Sequence, residues 1–266
     1  MPGRQPPVRA LITAEHASRR VPAAYRHLFA GAESVLSSHR AWDPGTGRLA
    51  RELADKLELP LLEGQVTRLL VDLNRSAGHP RQFSEFSRRL DTDARQQLLE
   101  RYWQPHWQAF RQAIESEPGR LIHIACHSFT PVLDGVTRRA DIGLLYDPSR
   151  APERDWCAAL ARRIADHLPN LKVRMNYPYR GTSNGLGQQH RRLYGPDRLL
   201  TMELEINSAL LSSPEWRAIR QHLIAAVRTA FALAKSVDSL PSPLSECEQR
   251  KSFWTQRGEA AKKQKT

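Results

Sequence analysis

The sequence of 266 residues has few cysteines, and they form neither a disulfide framework nor a zinc knuckle. Cys126, Cys157 and Cys247 are an odd number, lie far apart and include no CxxC pair. Small secreted domains stabilised by disulfides carry even numbers of cysteines, and zinc knuckles carry closely spaced pairs. We therefore expect three reduced thiols, as is typical of a protein of the cytoplasm.

Long apolar segments are also missing. No run approaches the roughly 18 apolar residues that a membrane span needs. The first residues, MPGRQPPVRALIT, contain only a short apolar stretch, and no small-residue cleavage site follows it. We therefore expect no membrane-spanning helix, no signal peptide and a cytoplasmic location.

Acidic residues are scarce relative to basic ones. The 28 Asp and Glu stand against 40 Lys and Arg, which gives a formal net charge of +12. Such a charge is typical of proteins that bind nucleic acid, a membrane surface or an anionic substrate. Because the arginines are spread along the whole chain and no known nucleic-acid motif is present, we do not expect nucleic-acid binding as the main function.

Two enzyme motifs are absent as well. The glycines of RGTSNGLG, residues 180–187, do not have the strand-to-helix spacing of a dinucleotide fingerprint. We interpret this segment as a substrate-covering loop, with His190 as a spare polar group. Ser128, in HSF, does not stand in a nucleophile elbow. The chemistry of this chain is therefore sought in its histidines, carboxylates and arginines.

Short β-type runs alternate with segments of helical periodicity. The β-type runs are residues 8–13, 68–73, 121–126, 141–146, 171–175 and 200–206. Helical spacing of apolar residues covers 47–58, 92–116 and 153–167, and a last helix is predicted to open with Ser213 as N-cap and Pro214 in its first turn. This alternation predicts an α/β fold with a mixed, largely parallel sheet flanked by helices. In such sheets the site lies at the carboxyl ends of the strands.

The composition changes near Ser236. Residues 236–266 are rich in Ser, Pro, Lys and Gln and contain few apolar residues. We therefore predict one catalytic α/β domain over residues 1–235 and a mobile, basic tail over residues 236–266.

Two histidines stand at the ends of predicted strands. His16 follows Glu15 directly after the run ALIT, and His127 follows the run LIHIAC. Since imidazole nitrogens are zinc ligands, two histidines at matching ends of parallel strands predict a zinc site. Asp43 precedes a Pro-Gly turn in HRAWDPG, where it serves either as a metal ligand, as a residue that orients one, or only to shape the turn.

Two further segments carry charge beside apolar runs. In RLLVDLNRS, Asn74 and Arg75 follow the apolar stretch, and an arginine offers a planar fork for a carboxylate, although a surface salt bridge is the alternative. In TMELEIN, Glu203 and Glu205 point to one face of the strand. Buried carboxylates without partners are costly, so we expect a functional role for at least one of them.

Seven segments in order resemble the N-formylglutamate amidohydrolase family. They are EHASRRVP, HRAWDPGTG, RLLVDLNRS, HSFTP, RRADIGLLYD, NYPYRGTSNGL and ELEIN, and the match runs from about Ile12 to Asn207. This family is similar to the zinc carboxypeptidases and aspartoacylase. The resemblance implies a sheet of the zinc-carboxypeptidase, phosphorylase-hydrolase-like type and a zinc cofactor. It further implies hydrolysis of the amide of a small acidic N-acyl amino acid, with N-formylglutamate the first candidate.

Carried over by position, the resemblance also implies roles for individual residues. These are His16 and His127 as zinc ligands, Asn74 and Arg75 as a clamp on the substrate carboxylate, and Glu205 rather than Glu203 as general base. In the mechanism that we expect of such a site, zinc and Arg68 or Arg139 stabilise the oxyanion. The related HxxE pattern would place a glutamate at position 19, where this chain has Arg19. The third ligand is therefore Asp43 or Glu15, with Asp43 slightly favoured.

Two other functions stay open at this point. One is a related zinc amidase or peptidase that acts on a cell-wall fragment or another N-acyl amino acid. The other is a non-catalytic basic binding protein that uses its tail to hold nucleic acid or a protein partner. Bound metal together with turnover distinguishes them, and no pattern in the sequence predicts an oligomeric state.

Overall fold

The computed structural model describes residues 9–116 and 118–237, and a six-stranded sheet lies at its centre. The strands are β1 (Arg9–Ala14), β2 (Leu61–Glu63), β3 (Leu121–Phe129), β4 (Val132–Leu133), β5 (Val136–Thr137), β6 (Ile142–Leu145), β7 (Val173–Met175) and β8 (Leu199–Asn207). The sheet order is β2-β1-β3-β8-β6-β7, while β4 and β5 form a separate hairpin. Only the β6–β8 pair of the central sheet is antiparallel. The predicted mixed, largely parallel sheet is confirmed.

Helices flank this sheet. They are α1 (Glu33–Leu36), α2 (Thr46–Leu57), α3 (Thr92–Leu98), α4 (Gln104–Glu115), α5 (Ala151–His167), α6 (Leu186–Arg191), α7 (Ser208–Leu211) and α8 (Trp216–Val237). The helical segment predicted over 92–116 is divided by a π-helical turn, Leu99–Trp103, and Pro105 lies in the first turn of α4. Within the described ranges, no helix is long and apolar enough to cross a membrane.

The last helix begins later than the sequence predicts. Its first residue is Trp216, so Pro214 stands in a preceding turn and not in the helix. The buried Ser213 hydroxyl has no hydrogen-bond partner among the described residues and so provides no cap. The main-chain carbonyl of Ser213 accepts a bond from the N–H of Trp216 instead.

Strand β3 is buried along its whole length, and its two faces differ in chemistry. Ile122, Ile124 and Cys126 belong to the large apolar core that the strands share with residues of α2, α5 and α8. The alternate residues include His123 and His127, because successive side chains of a strand point to opposite faces. One face of β3 therefore packs in the large core, and the other carries the two histidines beside a smaller apolar cluster that includes Leu121 and Phe110.

The strand predicted over residues 68–73 is wrong, because the structure has a buried loop there. The loop makes main-chain bonds without a sheet neighbour: the N–H of Leu70 donates to the Thr67 carbonyl, and that of Asp72 donates to the Gln82 carbonyl. The apolar residues of this run pack in a second cluster with Phe29, which explains the apolar pattern without strand pairing. Strand β2, which the sequence did not predict, takes the place beside β1.

The tail predicted over residues 236–266 lies outside the described residues, apart from its first two positions, which belong to α8. Cys247 also lies outside them. Cys126 and Cys157 are buried free thiols. The predicted domain boundary at residue 235 therefore falls two residues before the end of the last described helix.

Candidate metal and hydrolytic site

A cavity of about 690 Å³ opens at the carboxyl ends of β1, β3 and β8. It brings together most of the polar residues that the sequence singles out, although they come from five separate segments. The predicted residues that line it are His16, Asp43, Arg68, Asn74, Arg75, His127, Glu203 and Glu205. This is the edge of an α/β sheet at which ligands bind.

Three buried residues of this cavity form a group that could hold a metal ion. His16 follows the end of β1, His127 lies in β3, and Asp43 precedes α2. One potential ligand atom from each lies within 4.8 Å of the others in the described structure. Two imidazoles and one carboxylate, with room for a further ligand, are the donor set of a catalytic zinc centre.

The two Nδ1 atoms of this group face the same carboxylate oxygen. The Oδ2 atom of Asp43 lies 3.2 Å from His127 Nδ1 and 3.6 Å from His16 Nδ1. His16 Nδ1 is buried, and among the described residues it has no hydrogen-bond partner. A buried ring nitrogen without a partner is costly, and a metal ion would accept its lone pair. The residues present therefore fit a metal.

The Nε2 atom of each imidazole contacts a carboxylate other than Asp43. His16 Nε2 lies 2.7 Å from Asp72 Oδ1, and His127 Nε2 lies 3.0 Å from Glu15 Oε2. Carboxylates in this position fix the tautomer and orientation of histidines that ligate metals. The geometry thus separates the two candidates for the third ligand, since Asp43 faces the Nδ1 atoms and Glu15 contacts the far side of His127.

The carboxylates of this cluster are held in the ionised form. Burial opposes ionisation, but the hydrogen bond from His127 and the nearby charge of His16 lower the pKa of Asp43 below its usual range. Burial is likewise outweighed at Glu15, where bonds with His106 and His127 lower the pKa. Burial disfavours a charged His127, yet its bonds with Asp43 and Glu15 raise its pKa well above the usual value. The two carboxylates therefore favour the charged form of His127 when no metal is bound.

Arg68 contacts both aspartates of the cluster, Asp43 and Asp72. Its Nη1 lies 3.5 Å from Asp43 Oδ1, and its Nη2 lies 3.3 Å from Asp72 Oδ2. At Asp72, burial opposes ionisation, but the charges of Arg68 and His16 lower the pKa below its usual range. Arg68 is a quarter exposed and lines the cavity, so its guanidinium faces both the aspartates and the substrate space.

Glu205 lies beside His127 of the neighbouring strand. The Cα atoms of His127 and Glu205 are partners in the parallel β3–β8 pair, and Gly143 of β6 is the partner on the other side. Burial is the main cause that raises the pKa of Glu205 to about 8. The charges of Asp43 and Glu203 act in the same direction, and those of His127 and Arg68 oppose them. Its buried Oε2 has no hydrogen-bond partner among the residues described. Such a carboxyl group exchanges a proton near neutral pH.

Gly143 is required where it stands. A Cβ atom there would lie 2.0 Å from the carbonyl oxygen of Tyr177 and 3.2 Å from the Cβ of Glu205. The first distance is a clash with backbone, so any larger residue would push the segment after β7 away from the sheet. The same segment carries the loop of residues 180–187.

Asn74 and Arg75 contact the 180–187 loop, as expected of neighbours in a covered site. Asn74 Oδ1 accepts a bond of 2.7 Å from the N–H of Leu186, and Asn74 Nδ2 lies 3.4 Å from His127 Nε2. Arg75 Nη1 donates to the carbonyl oxygens of Asn184 and Asn74. Within the loop, Arg180, Ser183 and Asn184 line the cavity. The segment interpreted as a substrate-covering loop thus forms one wall of the site.

Two residues considered from the sequence lie elsewhere. Arg139 is exposed and does not line the cavity, and its main-chain N–H donates to the Tyr177 hydroxyl. This position does not support an oxyanion role for its side chain. His190, considered a spare polar group of the loop, is buried against Phe110 and Trp107 outside the cavity.

Several residues of the site were missed from the sequence. Asp72, which supports His16, stands two residues before Asn74 in the same segment, and a search for a carboxylate partner of each histidine would have found it. His106, which lies 3.7 Å from Glu15 Oε1, comes from α4 and has no strand-end signal. No pattern marks the cavity residues His79 and Arg81.

Comparisons with known proteins agree with this geometry. The model of the family described as N-formylglutamate amidohydrolase matches residues 8–212. A crystal structure of a gene product of Agrobacterium tumefaciens is similar with a TM-score of 0.69 and 28% identity, covering 86% of this chain and 90% of that one. A crystal structure of N-formylglutamate amidohydrolase from Ralstonia eutropha JMP134 has a TM-score of 0.65 and 17% identity, covering 87% of this chain and 95% of that one. No curated protein matches the chain.

The family model covers the whole described sheet, from β1 to the end of β8, and includes every residue that lines the cavity. The fold is shared with a structure that bears the family's name. The chain belongs to the N-formylglutamate amidohydrolase family and is an amidohydrolase.

Proposed function

We propose that the protein is a zinc-dependent hydrolase that cleaves the amide bond of a small acidic N-acyl amino acid, with N-formylglutamate the first candidate substrate. One observation carries the proposal: a buried His16–Asp43–His127 group lies in the same cavity as a buried Glu205 whose pKa is raised to about 8. Metal-assisted amide hydrolysis requires a set of metal ligands and, beside it, a carboxyl group that exchanges protons.

The donor set supports zinc over other metals. His16 and His127 would bind through Nδ1 and Asp43 through Oδ2, with Asp72 and Glu15 orienting the imidazoles from behind. Magnesium and calcium prefer sites built from oxygen ligands, whereas imidazole nitrogens suit zinc. When bound, zinc supplies a Lewis acid that polarises the amide carbonyl and acidifies water. His127 must release a proton before it binds a metal.

Glu205 is the proposed general base. Its raised pKa near 8 lets it accept a proton from the attacking water and return that proton to the leaving nitrogen. Burial and the missing hydrogen-bond partner among the described residues keep its Oε2 available for that exchange. Glu203, two residues earlier on the same face of β8, is half-buried, and its charge helps to raise the pKa of Glu205.

Arginines provide the proposed contacts to the substrate's anionic groups. Asn74 and Arg75 are proposed to hold the substrate carboxylate, and Arg68 is proposed to stabilise the developing oxyanion. Two aspartates hold Arg68 in place, so its guanidinium would not have to reorganise during the reaction. The exposed position of Arg139 leaves Arg68 as the better supported of the two candidates.

The test is a substrate panel with controlled metal content. Purified protein, either loaded with zinc or stripped by a chelator, is assayed on N-formyl, N-acetyl and N-succinyl derivatives of glutamate, aspartate and a neutral amino acid, and on a muramoyl-alanine fragment. We expect hydrolysis that depends on zinc and is fastest on an acidic acyl amino acid. Zinc binding without turnover of any compound would contradict the proposal and favour a binding protein.

A further inference from the structure

The backbone beneath the proposed carboxylate clamp is held in an unusual way. The carbonyl oxygens of Leu73 and Arg75 accept hydrogen bonds of 2.9 and 2.8 Å from the indole N–H groups of Trp107 and Trp103. In the ranges 9–116 and 118–237, no main-chain N–H bonds to either oxygen. Since this segment has no strand partner, two indoles provide the bonds that a sheet neighbour would otherwise make.

The two indoles act from one rigid support. Trp103 ends the π-helical turn and Trp107 follows one turn later in α4, so both lie on the same side of the helix. Their rings stack with centroids 4.5 Å apart and an interplanar angle of 25°. The π-helical turn inserts an extra residue at this point, and such insertions are frequent at functional sites.

The residues held by this pair are those that face the site. Asn74 lies between the two anchored carbonyl groups, and its side chain contacts His127 and the N–H of Leu186. Arg75, whose own carbonyl is anchored, lines the cavity. We propose that Trp103 and Trp107 are positioning residues for the substrate carboxylate, because their N–H groups fix the backbone that aims Asn74 and Arg75. This inference rests on the proposed function of the clamp.

The ring and the N–H of each indole can be tested separately. A Trp→Phe change keeps an aromatic ring in the stack but removes the donor, so a partly buried carbonyl loses its partner and the segment is free to shift. A displacement of about 1 Å in a positioning element is enough to lower catalytic efficiency strongly. Trp156 provides the matched control, because its buried indole N–H has no partner among the described residues and its ring packs on Phe231, in the core.

The first measurement is the split between KM and kcat on an acidic N-acyl amino acid. We expect Trp103→Phe and Trp107→Phe each to raise KM about tenfold, as the loss of one well-placed hydrogen bond predicts, with kcat within about twofold of the wild-type value. Zinc content should be unchanged, and Trp156→Phe should behave as the wild type does. Unchanged KM in both test variants would overturn the proposal.

A second measurement does not depend on turnover. Calorimetric titration with glutarate, a dicarboxylate without an amide bond, reports on the clamp, and its neutral diamide is the control ligand. We expect either Trp→Phe change to weaken glutarate binding about tenfold, which corresponds to about 1.4 kcal/mol. Binding of the diamide should be unaffected. Equal loss for both ligands would mean that the indoles serve only the fold. Failure of the wild type to hydrolyse any acyl amino acid would instead contradict the proposed function. Trp103 and Trp107 bind different carbonyl groups, so if one variant fails to fold, the other variant still provides the test.

Discussion

The site is divided into a strand part and a loop part that are held by different means. In the strand part, His127 and Glu205 stand opposite each other in the β3–β8 pair, so their positions follow from the ladder of main-chain bonds. In the loop part, side chains make the supporting bonds: Asp43 accepts from the N–H of Ser128, and Asp72 accepts from the N–H of Asn74. A change in the strand part should therefore remove one group, whereas a change in the loop part should also displace its neighbours.

The largest expected effect is loss of the metal from the strand part. His127→Ala removes a proposed ligand from a strand that is buried along its whole length, so the fold should persist while zinc and activity are lost. Elemental analysis of protein purified without added metal should find about one zinc per chain in the wild type, as in a mononuclear site.

His16→Ala should lose zinc in the same way, and His79→Ala is the control. His79 lines the same cavity but lies outside the group of three potential ligands, so this variant should keep its zinc. Full metal content in both His16→Ala and His127→Ala would contradict the site.

The next effect separates two carboxylates of one strand. Glu205→Gln keeps the size of the side chain but removes the proton acceptor, so kcat should fall at least about 10²-fold with zinc content unchanged. Glu203→Gln, on the same face but half-buried, should be milder. The reverse order of the two variants would make Glu203 the base, and unchanged activity in both would make the pair structural.

The same variant carries a prediction about pH in metal-free protein. The pKa of Glu205 is raised from 4.5 to about 8, so between these values the folded state keeps a proton that the unfolded state has lost. The stability that this group contributes therefore falls as pH rises through that window. The Glu205→Gln variant should have nearly the wild-type melting temperature at about pH 5 and a higher melting temperature at about pH 8. The corresponding gain in the free energy of unfolding at about pH 8 is at most about 4 kcal/mol. Equal effects at both pH values would mean that Glu205 is not buried as an acid.

A smaller effect compares the carboxylates behind the two histidines. Asp72→Asn and Glu15→Gln should each weaken zinc binding about 10–100-fold, as is typical of residues that orient a ligand. Asp72 also accepts the N–H of Asn74, so its variant should raise KM as well, whereas Glu15→Gln should affect the metal alone. Competition with a chelator and steady-state kinetics measure the two quantities. If KM rises equally in both variants, the two parts are not independently supported.

The strand part could be predicted from the sequence, and the loop part only partly. His16 and His127 end apolar runs, and the alternation around Glu203 and Glu205 places both on one face. This periodicity, together with the rule that sites lie at the carboxyl ends of strands, indicated that the four residues meet. The apolar run at 68–73 has the same local pattern as a strand, but Phe29 and its cluster bury it, so tertiary packing overrides the pattern. The indole donors to Leu73 and Arg75 lie about 30 residues away along the chain, and no local pattern reports such a contact.

The smallest expected effect tests recognition in the loop part through Arg75. Arg75→Lys keeps the charge but loses the planar fork, of which one nitrogen already donates to the carbonyl of Asn184. We expect kcat/KM on an acidic acyl amino acid to fall about tenfold, mostly through KM, with zinc retained, because one bidentate contact is lost. The amidated substrate, which has no carboxylate to grip, should lose much less. Arg81→Lys, an exposed arginine at the cavity wall, is the matched control and should stay near the wild-type value. Equal loss on the acid and the amide would show that Arg75 holds the 180–187 loop in place and that the substrate carboxylate is bound by other groups.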